Sequence, residues 1–187
     1  MVSLGSLLVP IVVAAVLVFI ASSIIHMFLR YHKADYKGLS NEDDVRAAIR
    51  KGNATPGLYV FPYCLDPKEA MGDTPVAKKY VEGPVGFLSL VPPGKPNMGP
   101  ALIKWFVYCL VLSFFVAYLG SHVLAPGSSY LTVFRVVGTA GWLGYAGASA
   151  AGAIWMGKPW SNTVREIVDG LIYGMLTAGT FGWLWPK

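Results

Sequence analysis

Read from its first residue, the chain sorts into long blocks that are almost wholly apolar, separated by stretches where charge, proline and glycine collect. The apolar residues in those blocks run continuously and lack the three-to-four-residue periodicity of a helix half in water. A hydrocarbon layer about 30 Å thick takes roughly 20 such residues at a helical rise of about 1.5 Å each. Four blocks reach that length, at residues 4–29, 101–124, 130–156 and 164–185. Pro10 falls early in the first, where a missing N–H costs little. Pro100 opens the second and Ala125-Pro126-Gly127 closes it, Gly157-Lys158-Pro159 ends the third, and Pro186 stops the fourth. The pattern predicts an all-α membrane protein of four transmembrane helices, with a small α+β cytoplasmic insert over residues 30–99 between helices 1 and 2.

Within the insert the pattern changes to short amphipathic pieces. Ser40 followed by Asp43 reads as a capping box, and Glu42, Asp43 and Asp44 suit the positive end of a helix dipole. That helix should run to Lys51 and end at Gly52. Leu58-Tyr59-Val60-Phe61 reads as a strand, Thr74-Pro75 as the cap and first-turn proline of a short helix to Glu82, and residues 85–91 as a second strand. Two strands alone are marginal in water, so the insert is expected to lean on the membrane or a partner.

Composition agrees with the blocks: 55% of the 187 residues are hydrophobic and 13% charged, where soluble domains carry about a quarter charged. The net charge of +5 lies mostly in segments flanking the apolar blocks, without a basic stripe interleaved with stacking aromatics, which excludes nucleic acid as a partner. Arg30, His32, Lys33 and Lys37 follow helix 1, Lys95 and Lys104 flank the start of helix 2, and Lys158 and Arg165 border the connection from helix 3 to helix 4. Residues 121–129 contain no lysine or arginine. Basic loops stay in the cytoplasm, so the insert and the last short loop are expected inside and both termini outside, with Arg135 and Lys187 as mild dissenters. The first block is longer than a signal h-region and lacks its positive flank, so it reads as a retained anchor. Cys64 in the insert and Cys109 in the second block predict no disulfide and are too few for a cysteine metal site.

Small residues recur every four positions on two helices: Gly170, Gly174, Ala178 and Gly182 on helix 4, and Ala140, Gly144, Ala148 and Gly152 on helix 3. In lipid, where no hydrophobic force pulls helices together, such stripes let backbones approach, and they predict a tight hairpin of helices 3 and 4 or contact with a second subunit. Trp105, Trp155, Trp160, Trp183 and Trp185 mark block ends, as interfacial anchors do.

Ionisable residues inside the blocks are functional candidates because placing them there is costly. His26 lies one turn before Arg30 and Asp169 one turn after Arg165, so both are expected at one depth near the cytoplasmic face. With Lys104 and Glu166 they form a candidate polar binding cluster that relays protons or holds a headgroup. Local pairing competes with that reading: Thr163 and Glu166 fit a capping box, and Arg165 and Asp169 are spaced for an i,i+4 pair. His122 and Arg135 at the other face read as snorkelling groups. His26 and His122 are expected at opposite faces, which argues against haem, and the run 30–33 reads as a juxtamembrane basic patch. No phosphate loop, nucleophile elbow, metal-ligand helix or dinucleotide fingerprint is present, so no catalytic residue, metal or cofactor is predicted.

The expected function is therefore a non-enzymatic accessory or scaffold component of a membrane assembly, its partners the lipid bilayer and a second copy or other membrane subunits. The alternatives are a small oligomeric transporter or channel using the polar cluster, and a lipid- or quinone-linked membrane enzyme. Compact loops and clean charge asymmetry suggest a bacterial inner membrane.

Overall fold

The computed structural model describes residues 1–187, the side chain of Arg30 excepted, so the basic patch at 30–33 lies partly outside the described residues. It is mostly helical with one two-stranded sheet, and it divides into two units: Met1–Tyr36 with Asn97–Lys187, and Lys37–Pro96.

The first unit is a ring of helices. Helix α1, Leu8–Ser23, is extended by a 3-10 turn before it and a π turn, Ile24–Phe28, after it. Helix α5 is Gly99–Val123, α6 Tyr130–Ala146, α7 Ser149–Met156 and α8 Trp160–Trp183. α1 packs on α5 and α8, and α6 packs on the same two, which closes the ring. Inside it, Leu7, Ile11, Ala14, Leu112, Val116, Val137 and Phe181 form one apolar cluster, and Ala15, Val18, Cys109 and Tyr173 a second. Its ends are tied by polar contacts: the Trp105 indole N–H donates to Ser22 Oγ at 2.7 Å, and Gly127 N–H donates to the Pro186 carbonyl at 2.8 Å.

Two helices are long and apolar enough to cross a membrane, Leu4–Phe28 and Gly99–Val123. The block at 130–156 is not one helix. It breaks after Ala146, where Gly147 and Ala148 form a turn before α7. A Cβ on Gly147 would stand 2.4 Å from the Leu143 carbonyl oxygen, a conflict that only glycine avoids.

The hairpin of α6 and α8 is built on a different register from the expected one. All four small residues of α8 meet α6: Gly170 faces Ala146, Gly174 the backbone of Gly138 and Trp142, Ala178 faces Gly138, and Gly182 the ring of Tyr130. On α6 the matching positions are Gly138, Gly141 and Ala146. Ala140 packs toward the apolar cluster instead, and Gly144 meets Leu112 of α5. Positions 138 and 140 lie about 200° apart around a helix of 3.6 residues per turn, so both series cannot face α8. Ala148 sits exposed in the turn, and Gly152 borders the Lys158 side chain.

The second unit holds α2, Glu42–Lys51, strand β1, Gly57–Phe61, two short helices α3, Pro67–Met71, and α4, Pro75–Glu82, and strand β2, Gly86–Leu90. The strands pair antiparallel from Gly57 opposite Leu90 to Phe61 opposite Gly86. Thr74 caps α4, its hydroxyl accepting from Ala77 N–H, and Asp66 caps α3, a helix absent from the sequence expectation. The capping box expected at Ser40 is not formed: Asn41 precedes α2 without a side-chain cap, and Asp43 pairs with Arg46.

Candidate functional site

The site grows from the end of the first helix. Leu29 adopts an extended conformation, which ends the helix and redirects the chain into a 3-10 turn, Arg30–Asp35. At three residues per turn, side chains at i and i+3 eclipse, and His32 and Asp35 use that alignment. His32 Nδ1 lies 2.6 Å from Asp35 Oδ2. The turn is held to α8 at both ends: Asn162 Nδ2 donates to the Asp35 carbonyl at 3.0 Å, Arg165 donates to the Asp35 carboxylate, and the Tyr31 hydroxyl donates to Asp169 Oδ1.

His32 is thereby inserted between two carboxylates. Its Nε2 is 2.8 Å from Asp169 Oδ2, and only 13% of the His32 side chain and 5% of Asp169 are exposed. His26 stacks on His32 with ring centroids 4.3 Å apart, and its Nε2 is 3.7 Å from Asp169 Oδ2 and 3.4 Å from the Tyr173 hydroxyl. The hydrogen bond with His32 holds the Asp35 carboxyl below its ordinary range; the Arg165 guanidinium adds to this, and partial burial works against it.

His26 differs from the others in facing out as well as in. Half of its side chain is exposed, and it borders a cleft of about 280 Å³ shared with Ser22, Ser23, Met27, Met98, Leu102 and Trp105. Two histidines and two aspartates thus run from the α8 surface to a mainly apolar opening between α1 and α5.

Comparison with family models, curated proteins and solved structures finds no match to this chain. The chemistry therefore rests on the geometry alone.

Of the four residues in the expected polar cluster, the structure brings His26 and Asp169 together. Glu166 is engaged elsewhere, in a salt bridge with Lys158, and Lys104 lies in a separate groove with Tyr108 and Tyr145. The capping box at Thr163 does not form, because α8 begins earlier, at Trp160, with Pro159 at its cap. Nor does Arg165 pair with Asp169 along the helix. It reaches Asp35, leaving Asp169 to Tyr31 and His32. At the far end, His122 turns back on its own helix, its Nδ1 2.8 Å from the Tyr118 carbonyl.

Sequence reasoning missed Tyr31, His32 and Asp35 as site residues, because a positive run after an apolar block has a sufficient explanation in topology. The available signal was the three-residue spacing of His32 and Asp35, which puts an imidazole and a carboxylate on one face of a tight turn.

Proposed function

We propose that the chain is a four-span membrane protein, a non-enzymatic component of a membrane assembly, whose basic end binds the polar head of an amphiphile entering sideways from the bilayer. Support for four spans comes from the outward faces of the ring. Leu17 and Ile20 on α1, Val111 and Phe115 on α5, Leu143 on α6 and Leu171 on α8 are all exposed. Soluble monomers rarely display contiguous apolar surface on this scale, whereas lipid accepts it. The alternation of basic and neutral connections adds an orientation, with the 30–99 insert and the 157–163 turn on the cytoplasmic side.

The binding role rests on one observation: His26 joins the cleft to the buried His32–Asp169 pair. A mostly apolar cleft with a few convergent polar groups is the usual form of a small-molecule site. Here Ser22, Ser23 and His26 supply the polar groups, and Met27, Met98 and Leu102 line the rest. The transporter alternative is less well supported. Past the cluster the interior is filled mainly by Ala15, Val18, Leu112, Val116 and Phe181, with Ser113 and Thr177 buried among them and no charged group there among the described residues.

The test is mass spectrometry of the full chain purified in mild detergent. A stoichiometric lipid or isoprenoid should co-purify, and His26→Ala should lose it while keeping the wild-type melting profile. A protein that carries no amphiphile, no partner subunit and no second copy ends this reading.

A further inference from the structure

His32 stands between two carboxylates, with Nδ1 2.6 Å from Asp35 Oδ2 and Nε2 2.8 Å from Asp169 Oδ2, and a neutral ring has one N–H for the two. An imidazole that gives its Nδ1 proton to Asp35 presents a bare lone pair at Nε2. That lone pair points at Asp169 Oδ2, another acceptor, from 2.8 Å away. Two facing lone pairs at that distance need a proton or a metal between them.

We propose that His26 Nε2, His32 Nε2 and Asp169 Oδ2 are three ligands of a divalent transition-metal ion, with a fourth position open. The inference rests on the reading of this same site and adds what occupies it. The three donor atoms all lie within 4.8 Å of one another. A tetrahedral ion with bonds of about 2.0–2.1 Å spaces its donors about 3.3 Å apart. The observed separations from Asp169 Oδ2, 2.8 Å to His32 and 3.7 Å to His26, bracket that spacing. His26 is now stacked on His32, so to bind the ion it must leave that stack and turn its lone pair from the Tyr173 hydroxyl, a movement for which the open cleft beside it gives room.

The surroundings have the form of an outer ligand shell. Metal-bound histidines usually donate their other N–H to a carboxylate, and bound carboxylates accept a hydrogen bond on their free oxygen. Asp35 fills the first role for His32, and Tyr31 the second for Asp169. Arg165 in turn fixes Asp35. Two imidazoles and one carboxylate with an open position suit zinc, iron(II) or cobalt(II) better than magnesium or calcium, which prefer all-oxygen shells. Of the three ligands His26 alone borders the cleft, so a head lying there would reach the ion beside that ring.

The experiment uses the detergent-purified full chain, stripped with chelator and titrated with Co2+, then with Zn2+ as competitor. One Co2+ per chain should bind with the intense visible absorption of a four-coordinate site, and Zn2+ should displace it. His26→Ala folds readily, since its side chain is half exposed, and should weaken binding roughly tenfold or more, as should Asp35→Asn through the outer shell. Glu166→Gln, in the separate Lys158 pair, should leave the titration unchanged. Substoichiometric binding by the wild type, or binding that His26→Ala and Asp35→Asn leave intact, overturns the proposal. In that event a proton bridges His32 and Asp169. A chain that holds an amphiphile but no ion removes the metal alone; one that holds the ion without an amphiphile upholds the metal and removes the headgroup reading.

Discussion

Gly174 lies so close to Trp142 that a Cβ at position 174 would stand 2.9 Å from the Trp142 backbone nitrogen and 3.1 Å from the Gly138 carbonyl oxygen. Backbone cannot yield as a flexible side chain does, so this contact sets the separation of α6 and α8. Gly174→Ala should destabilise the protein by about 1–3 kcal/mol, as overpacking does, and Gly174→Leu by more. Gly152→Ala is the comparison, because its Cβ would meet only the Lys158 side chain at an ordinary 3.5 Å. Unfolding in a graded denaturing detergent should separate the two. Equal stability of both variants would show that α6 and α8 do not pack in this register.

The Trp105 indole reaches Ser22 Oγ at 2.7 Å, joining α5 to α1 beside the cleft. Trp105→Phe keeps most of the aromatic surface and removes the donor. It should cost about 1 kcal/mol, and Ser22→Ala a similar amount, the usual net worth of one hydrogen bond. The double variant should cost clearly less than the sum, because each change removes the same interaction. Additive losses would mean that the bond does not contribute.

Arg165 and Glu166 are neighbours with different expected weights. Arg165 anchors the Arg30–Asp35 turn through Asp35, whose side chain is mostly buried, while Glu166 meets Lys158 with over a third of its own side chain exposed. Arg165→Gln should cost about 1.5–3 kcal/mol, the range for hydrogen bonds to charged groups. Amide hydrogen exchange at residues 31–36 should rise with it. Glu166→Gln should change stability by about 0–1 kcal/mol, as surface pairs do. If exchange in the turn is unchanged in Arg165→Gln, the anchor lies elsewhere.

The proposed four-span topology requires the insert and the 124–129 connection to lie on opposite faces. A membrane-impermeant thiol reagent should label the native Cys64 only from the cytoplasmic side, since Cys109 is buried in the ring. Ser128→Cys, partly exposed in that connection, should label only from the other side. Labelling of both positions from one face removes the four-span topology.

What could be read without coordinates depended on the range of the interaction. The stretches at 4–29 and 101–124 were legible because continuous apolarity over that length needs no partner to be recognised. So were α4 and the two strands, whose caps, prolines and side-chain types act within a few residues. The break at Gly147 was not, because a bend tolerated by one glycine among many leaves no pattern. Nor was the choice between Gly138 and Ala140 as the face toward α8: small residues recur along both lines, and only the partner helix selects one.

The same division governs the site. His26 and Asp169 stand out in sequence because ionisable groups inside apolar blocks are costly, and helical rise alone gives them one depth. Sequence thus determined the long apolar helices, the charge asymmetry and two members of the cluster. Tertiary structure decided that Arg165 takes Asp35 rather than Asp169, and that His32 fills the place so freed. Those pairings join residues more than 120 positions apart. They depend on the extended Leu29 folding a short polar turn back onto α8, an event whose energy lies in the contacts it completes and not in any local preference of the chain.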